Sequence, residues 1–215
     1  VDYGTSGLAD TDTVQAKVFG IEMVYVPEGP FYIGGDTHEL NEATNTAGVY
    51  RVGDAFFSVF NASGAFQWSK RLGGTSIDYG EGVSTDSSTN VIVSGNVTGN
   101  SDLNGDGDTA DSNETGGGVY QSLDVFISVF NSAGTFQWSK RLGGTTNNDQ
   151  GYSVEVDSGN NIIVTGGVAG NADLNGDADI TDINETSGGV YQSLDVFISV
   201  FNSAGTFQWS ERLGG

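Results

Sequence analysis

Apolar and polar positions alternate along this chain with the two-residue period of β-strands, and no stretch carries a capped 3.6-residue apolar period. Val125, Ile127 and Val129 fall on one side of a strand, while Phe126 and Phe130 fall on the other. Strands apolar on both faces predict sheets covered from both sides. Short turn sequences rich in Asn, Asp, Ser and Gly separate the strands. Val83–Thr85 and Val91–Ser94 flank Asp86-Ser87-Ser88-Thr89-Asn90, and Val154–Val156 and Ile162–Thr165 flank Asp157-Ser158-Gly159-Asn160-Asn161. Val125–Phe130 and Thr135–Leu142 meet at Asn131-Ser132-Ala133-Gly134. Near the N-terminus, Val14, Ala16 and Val18, then Ile21, Met23 and Tyr25, alternate in the same way before the turn Pro27-Glu28-Gly29-Pro30. The expected fold class is all-β.

A long internal repeat organises these strands. The segment GGVYQSLDVFISVFNSAGTFQWS at 117–139 recurs letter for letter at 188–210, and a looser copy opens at Asp54. Trp68, Trp138 and Trp209 stand 70 and 71 residues apart. Two further blocks repeat at 80–100 and 151–171, and at 102–115 and 173–186. We expect four strands per unit. The order D-S-x-x-N-V-I-V-x-G, then F-x-S-V-F-N-x-x-G-x-F-Q-W-S-K-R-L-G-G, resembles bacterial β-propeller repeats of the SBBP type over residues 54–215, apart from an acidic insert. That resemblance implies tandem four-stranded propeller-like blades, two complete plus a half, in a protein of the cell exterior. The units are expected at about 54–123, 124–194 and 195–215 (partial), within a repeat region 51–215. Residues 1–50 form an N-terminal β-hairpin segment and connector. Within it, FGIEMVYVPEGPFYIGGD at 19–36 resembles the opening strands of formylglycine-generating-enzyme-like domains; the match ends there and the cysteines of such domains are absent, so a hairpin is carried over and no catalysis.

Composition narrows the partners. The chain has 28 Asp plus Glu against 7 Lys plus Arg and a net charge of −21, which argues against nucleic acid, whose phosphates need a cationic surface. Anionic lipid is disfavoured for the same reason, and no apolar run reaches the length of a membrane helix. With no cysteine there are no disulfides, thiolate metal sites or cysteine nucleophiles. His38 is the only histidine, so a catalytic zinc set is not expected. No nucleophile elbow, P-loop or dinucleotide fingerprint is present, and the expectation is a non-enzyme. Lys70-Arg71 and Lys140-Arg141 are expected to pair with acids at blade edges, and Glu211 replaces the lysine in the third copy. The chain opens at Val1 without an initiator Met or signal peptide, as a processed or truncated product would.

The acidic inserts carry the strongest chemical signal. Asp102, Asn104, Asp106, Asp108, Asp111 and Glu114 sit at near-alternate positions, and the second copy supplies Asp173, Asn175, Asp177, Asp179, Asp182 and Glu185. A hard cation such as Ca²⁺ takes six to eight oxygens, and the D-x-N-x-D-x-D spacing wraps them around one centre. The match to an EF-hand loop is imperfect, because the Glu falls one residue late and Ala178 stands where the turn glycine belongs. The aromatic pairs Phe66/Trp68, Phe136/Trp138 and Phe207/Trp209 are expected in the core between adjacent sheets, with a sugar-stacking platform as the alternative. The expected function is therefore an extracellular or cell-surface structural or adhesive protein, a Ca²⁺-stiffened subunit of a homopolymeric fibre or surface layer. Alternatives are a Ca²⁺-dependent glycan-binding propeller and a fragment of a larger propeller. The expected partner is another copy of the chain, in a homo-oligomer or helical filament, since two and a half blades leave open sheet faces.

Overall fold

The computed structural model describes residues 53–146, 148–188, 191 and 193–215, together with the backbone of one strand at 31–34. Thirteen strands form three antiparallel sheets, and no helix is present among the described residues. In chain order they are β1 (Phe31–Gly34), β2 (Ala55–Phe60), β3 (Phe66–Gly74), β4 (Tyr79–Thr85), β5 (Val91–Thr98), β6 (Ser101–Asp102) and β7 (Leu123–Phe130). There follow β8 (Phe136–Gly144), β9 (Gln150–Val156), β10 (Ile162–Val168), β11 (Ala172–Asp173), β12 (Asp195–Phe201) and β13 (Phe207–Leu213). The all-β expectation is met. The predicted strand at Val14–Tyr25, His38 and the connector lie outside the described residues.

The first sheet runs β1-β2-β3-β6, the second β11-β8-β7-β5-β4 and the third β13-β12-β10-β9. Each is built from the hairpins expected from the turn sequences. Asp86 Oδ1 accepts hydrogen bonds from the backbone N–H groups of Ser88 and Asn90, and Asp157 Oδ1 does the same for Gly159 and Asn161. A short polar side chain thus closes each turn with the bonds a strand would otherwise supply. Asn61, Asn131 and Asn202 cap the other hairpins in the same manner. The acidic insert lies between β5 and β7, as the repeat implies. The second sheet draws strands from both sides of the expected boundary at 123/124, because hydrogen bonding joins β4 and β5 to β7 and β8, and the third joins β9 and β10 to β12 and β13 across the boundary at 194/195.

β1 pairs with β2 so that Phe31 faces Phe60 and Ile33 faces Ser58. β5 meets β7 in the matching register, with Val91 opposite Phe130 and Val93 opposite Ser128. A strand from the N-terminal segment therefore occupies the third position of the incomplete sheet.

Side-chain alternation then stacks the sheets. Val125, Ile127, Val129 and Leu142 of the second sheet pack with Val154, Ile162, Val164, Val168, Phe197 and Phe201 of the third. On its other face, Val91, Val93, Val97, Phe126 and Phe130 pack with Ala55, Phe57, Val59 and Leu72 of the first. The middle sheet is covered on both sides, which is why β5 is buried at nearly every position while β10 alternates. At roughly 25 cal/mol per Å² of apolar surface, these two cores supply the main driving force for folding.

Candidate metal-binding loops

Each acidic insert is strapped across the seam between two sheets. Although it connects strands of the second sheet, the first insert begins by pairing with the first sheet, Gly73 opposite Asp102 and Gly74 opposite Ser101. The second insert pairs with the second sheet, Asp173 opposite Gly143. The apolar residue after each leading Asp drives this placement: Leu103 and Leu174 are fully buried, one in each intersheet core. Lys70 Nζ donates to the Gly105 carbonyl at 3.1 Å, and Lys140 Nζ to the Gly176 carbonyl at 2.9 Å, so the preceding sheet grips the loop. Asn113 Nδ2 donates to the Ser139 carbonyl and Asn184 Nδ2 to that of Ser210, so the following sheet grips it too.

Inside the first loop, Asp102 Oδ1 accepts from the N–H groups of Asn104 and Gly105, and its Oδ2 accepts from Gly107. Asn104, Asp106 and Asp108 each accept from the N–H two residues ahead. Asn104 Nδ2 donates to Asp111 Oδ2 at 2.8 Å, and Glu114 accepts from Leu103 and Asp111. The second loop repeats this set through Asp173, Asn175, Asp177, Asp179, Asp182 and Glu185. Ala178 adopts φ of 70° in place of the glycine at Gly107, whose φ is 93°, so the turn geometry is retained without that glycine.

Asp102, Asn104 and Glu114 are buried, whereas Asp106, Asp108 and Asp111 are exposed; Asp173 and Glu185 are likewise buried and Asp177, Asp179 and Asp182 exposed. Burial pushes the Glu114 carboxyl up to about 7, and the nearby charges of Asp102 and Asp111 add to the push. Glu185 rises to about 7 for the same reason, beside Asp173 and Asp182. Burial also raises Asp173. Among the described residues no three acidic or histidine side chains converge at metal-binding distance, because most of the loop carboxylates are engaged with backbone N–H groups.

Arg71 and Arg141 pair with acids as expected, but inside the structure rather than at its edges. Arg141 is completely buried, its Nη2 3.0 Å from Asp124 Oδ2 and its Nη1 donating to the Gly99 carbonyl. Arg71 pairs with Asp54 and Arg212 approaches Asp195. The repeated D-x₁₆-R spacing is a signal for these pairs that adjacency to tryptophan obscured. Asp78 and Asp149, also not singled out by the pattern, bridge neighbouring sheets: Asp149 accepts from Gly144 of the strand before it and from Ala169 of the sheet it opens. Burial raises Asp149 to about 6 and Asp78 to about 7.

Trp68 and Trp138 seal the rims of the two cores instead of filling them, and Trp209, expected in a core, is exposed. Trp68 lies over Gly134, where an added Cβ would stand 2.9 Å from its Cδ2, and its indole N–H donates to the Ser132 carbonyl at 2.9 Å. Trp138 lies over Gly205 and donates to the Ser203 carbonyl at 3.0 Å. Both are half-buried, and Phe66 is exposed. No protein-family model matches the chain, and no curated protein matches it.

Proposed function

We propose that the chain is a structural repeat protein of the cell exterior, a Ca²⁺-stiffened subunit of a homopolymeric fibre or surface layer, built from SBBP-like propeller blades. One observation carries this reading: the two seams between its sheets are built at matching repeat positions, Val59, Leu72, Val97, Leu103 and Phe130 in one and Val129, Leu142, Val168, Leu174 and Phe201 in the other, so one contact between unlike faces is used twice. The chemistry-bearing loops bind sheet to sheet. A rigid stack of this kind serves as a scaffold. Electron microscopy of the purified chain in millimolar Ca²⁺ tests the assembly, with regular filaments or lattices expected. A monodisperse monomer at every concentration and Ca²⁺ level would overturn it.

Ca²⁺ is the cation whose oxygen-donor chemistry fits Asp102, Asn104, Asp106, Asp108, Asp111 and Glu114, and the matching set Asp173, Asn175, Asp177, Asp179, Asp182 and Glu185. Its role is to stabilise the charged form of Glu114 and Glu185, which burial disfavours. Without metal, Glu114 and Glu185 bind a proton more tightly in the folded than in the unfolded chain, since each is raised from 4.5 to about 7. Their contribution to stability is thus present at acidic pH and lost as pH rises through that window. In chelator, the melting temperature should fall between about pH 5 and about pH 8, and millimolar Ca²⁺ should restore it mainly at the upper end. Identical melting curves with Ca²⁺ and with chelator at the upper pH would exclude Ca²⁺ as the stiffening ion.

A further inference from the structure

We infer that a second copy of this chain docks head to tail on the third sheet, with Trp209 of one molecule laid over the turn 61–65 of the next. The inference rests on the fibre reading above and names its joint.

The donor face is the outer side of the third sheet. Val125 and Leu142 of the second sheet are 0% exposed beneath the third sheet, yet their repeat counterparts Val196 and Leu213 are 53% and 55% exposed. Trp209 is 49% exposed, although Trp68 and Trp138 each cover a neighbouring turn. The same sequence thus forms a packed seam twice and stands open the third time. Val196 on β12 and Trp209 and Leu213 on β13 leave exposed apolar surface on one face, beside a half-buried Ile198 and a buried Val200, and such surface marks a docking site.

The acceptor face is the outer side of the first sheet. Trp68 and Trp138 bond to turns of sequence Asn-Ser-Ala-Gly-Thr, and their counterpart in the first sheet is Asn61-Ala62-Ser63-Gly64-Ala65. This turn has the same hydrogen bonds, Asn61 N–H to the Ala65 carbonyl and Gly64 N–H to the Asn61 carbonyl. It also has the same left-handed glycine, with φ of 79° at both Gly64 and Gly134. Its surroundings differ: an added Cβ at Gly134 or Gly205 meets an indole ring, whereas at Gly64 nothing lies within 4 Å among the described residues. Phe56 on the outer face of β2 is half-buried, where the matching Phe126 is fully buried.

Both halves of the repeated seam are therefore present on opposite ends of one molecule. Unlike faces that join without closing make an open filament. In that joint the Trp209 indole N–H donates to the Ala62 carbonyl of the second copy, as Trp138 does to Ser203, and Val196 and Leu213 become covered.

Two variants test this. Gly64→Asn keeps a residue that tolerates left-handed backbone but places a side chain where the indole must lie. Trp209→Ala removes the knob. Both positions are exposed, so each variant should keep the parent's circular dichroism and melting temperature, and each alone should sediment as a monomer where the parent assembles. Loss of a central aromatic should weaken self-association by about a hundredfold. Mixed in equal amounts, the variants should form a dimer and stop there, because one intact joint remains between a Trp209 donor and a Gly64 acceptor. If both variants assemble like the parent, or the mixture yields no dimer while each is monomeric, this joint is wrong though the fibre reading stands. A parent that never assembles removes both.

Discussion

Replacing Trp138 with Ala should destabilise the protein by about 3 kcal/mol, at the lower end of large-aromatic truncations because the ring is half-buried. The same change at Trp209 in the monomer should cost less than about 0.5 kcal/mol, as for an exposed side chain outside the core. The two residues lie in identical 23-residue segments, so local sequence cancels in the comparison. What differs is the neighbour. Trp138 stands 6.3 Å from the Phe201 ring centroid, packs against the core between the second and third sheets and donates to the Ser203 carbonyl. Trp209 faces outward. Urea unfolding of the two variants at a concentration where the parent is monomeric measures the difference, and equal losses would show that the seam does not depend on its tryptophan.

Arg141→Ala should be costlier still, about 3–5 kcal/mol, because it strands a buried carboxylate. Burial already pushes the Asp124 carboxyl up to about 7 against the pull of Arg141, and Asp149 adds to the push. Without the guanidinium, Asp124 is held protonated in the fold, so the loss should grow as pH rises past neutrality, where the unfolded chain gains by ionising. The Gly99 carbonyl loses its partner as well. Replacing both members, Asp124→Leu with Arg141→Met, should recover part of the loss, since a matched apolar pair removes the stranded charge. Unfolding free energies at about pH 6 and about pH 8 check both statements. A loss under about 1 kcal/mol, or one independent of pH, would mean that water reaches Asp124.

Much of the architecture was written in local sequence. Strand positions followed from two-residue alternation, and turns followed from Asp and Asn side chains that close their own backbone loops, as Asp86 and Asn131 do. The repeat fixed the spacing of the seams, and the doubly apolar β7 announced a sheet buried on both faces. These features depend on residues a few positions apart, where geometry is set by chain connectivity.

What the sequence could not assign was the environment of identical segments. Arg141 and Arg212 occupy the same position of the repeat, yet Arg141 is sealed with Asp124 at 3.0 Å while Arg212 stands 3.7 Å from Asp195. Val125 and Val196 share theirs and differ completely in burial. The acidic inserts read as ion-binding loops between strands, but Leu103 and Leu174, unnoticed among the carboxylates, pull them across the seams and bury Glu114 and Glu185. Burial and carboxylate ionisation depend on which surfaces meet across distances of tens of residues. The strand is decided by its own residues; whether its face is core or docking surface is decided by what stacks against it.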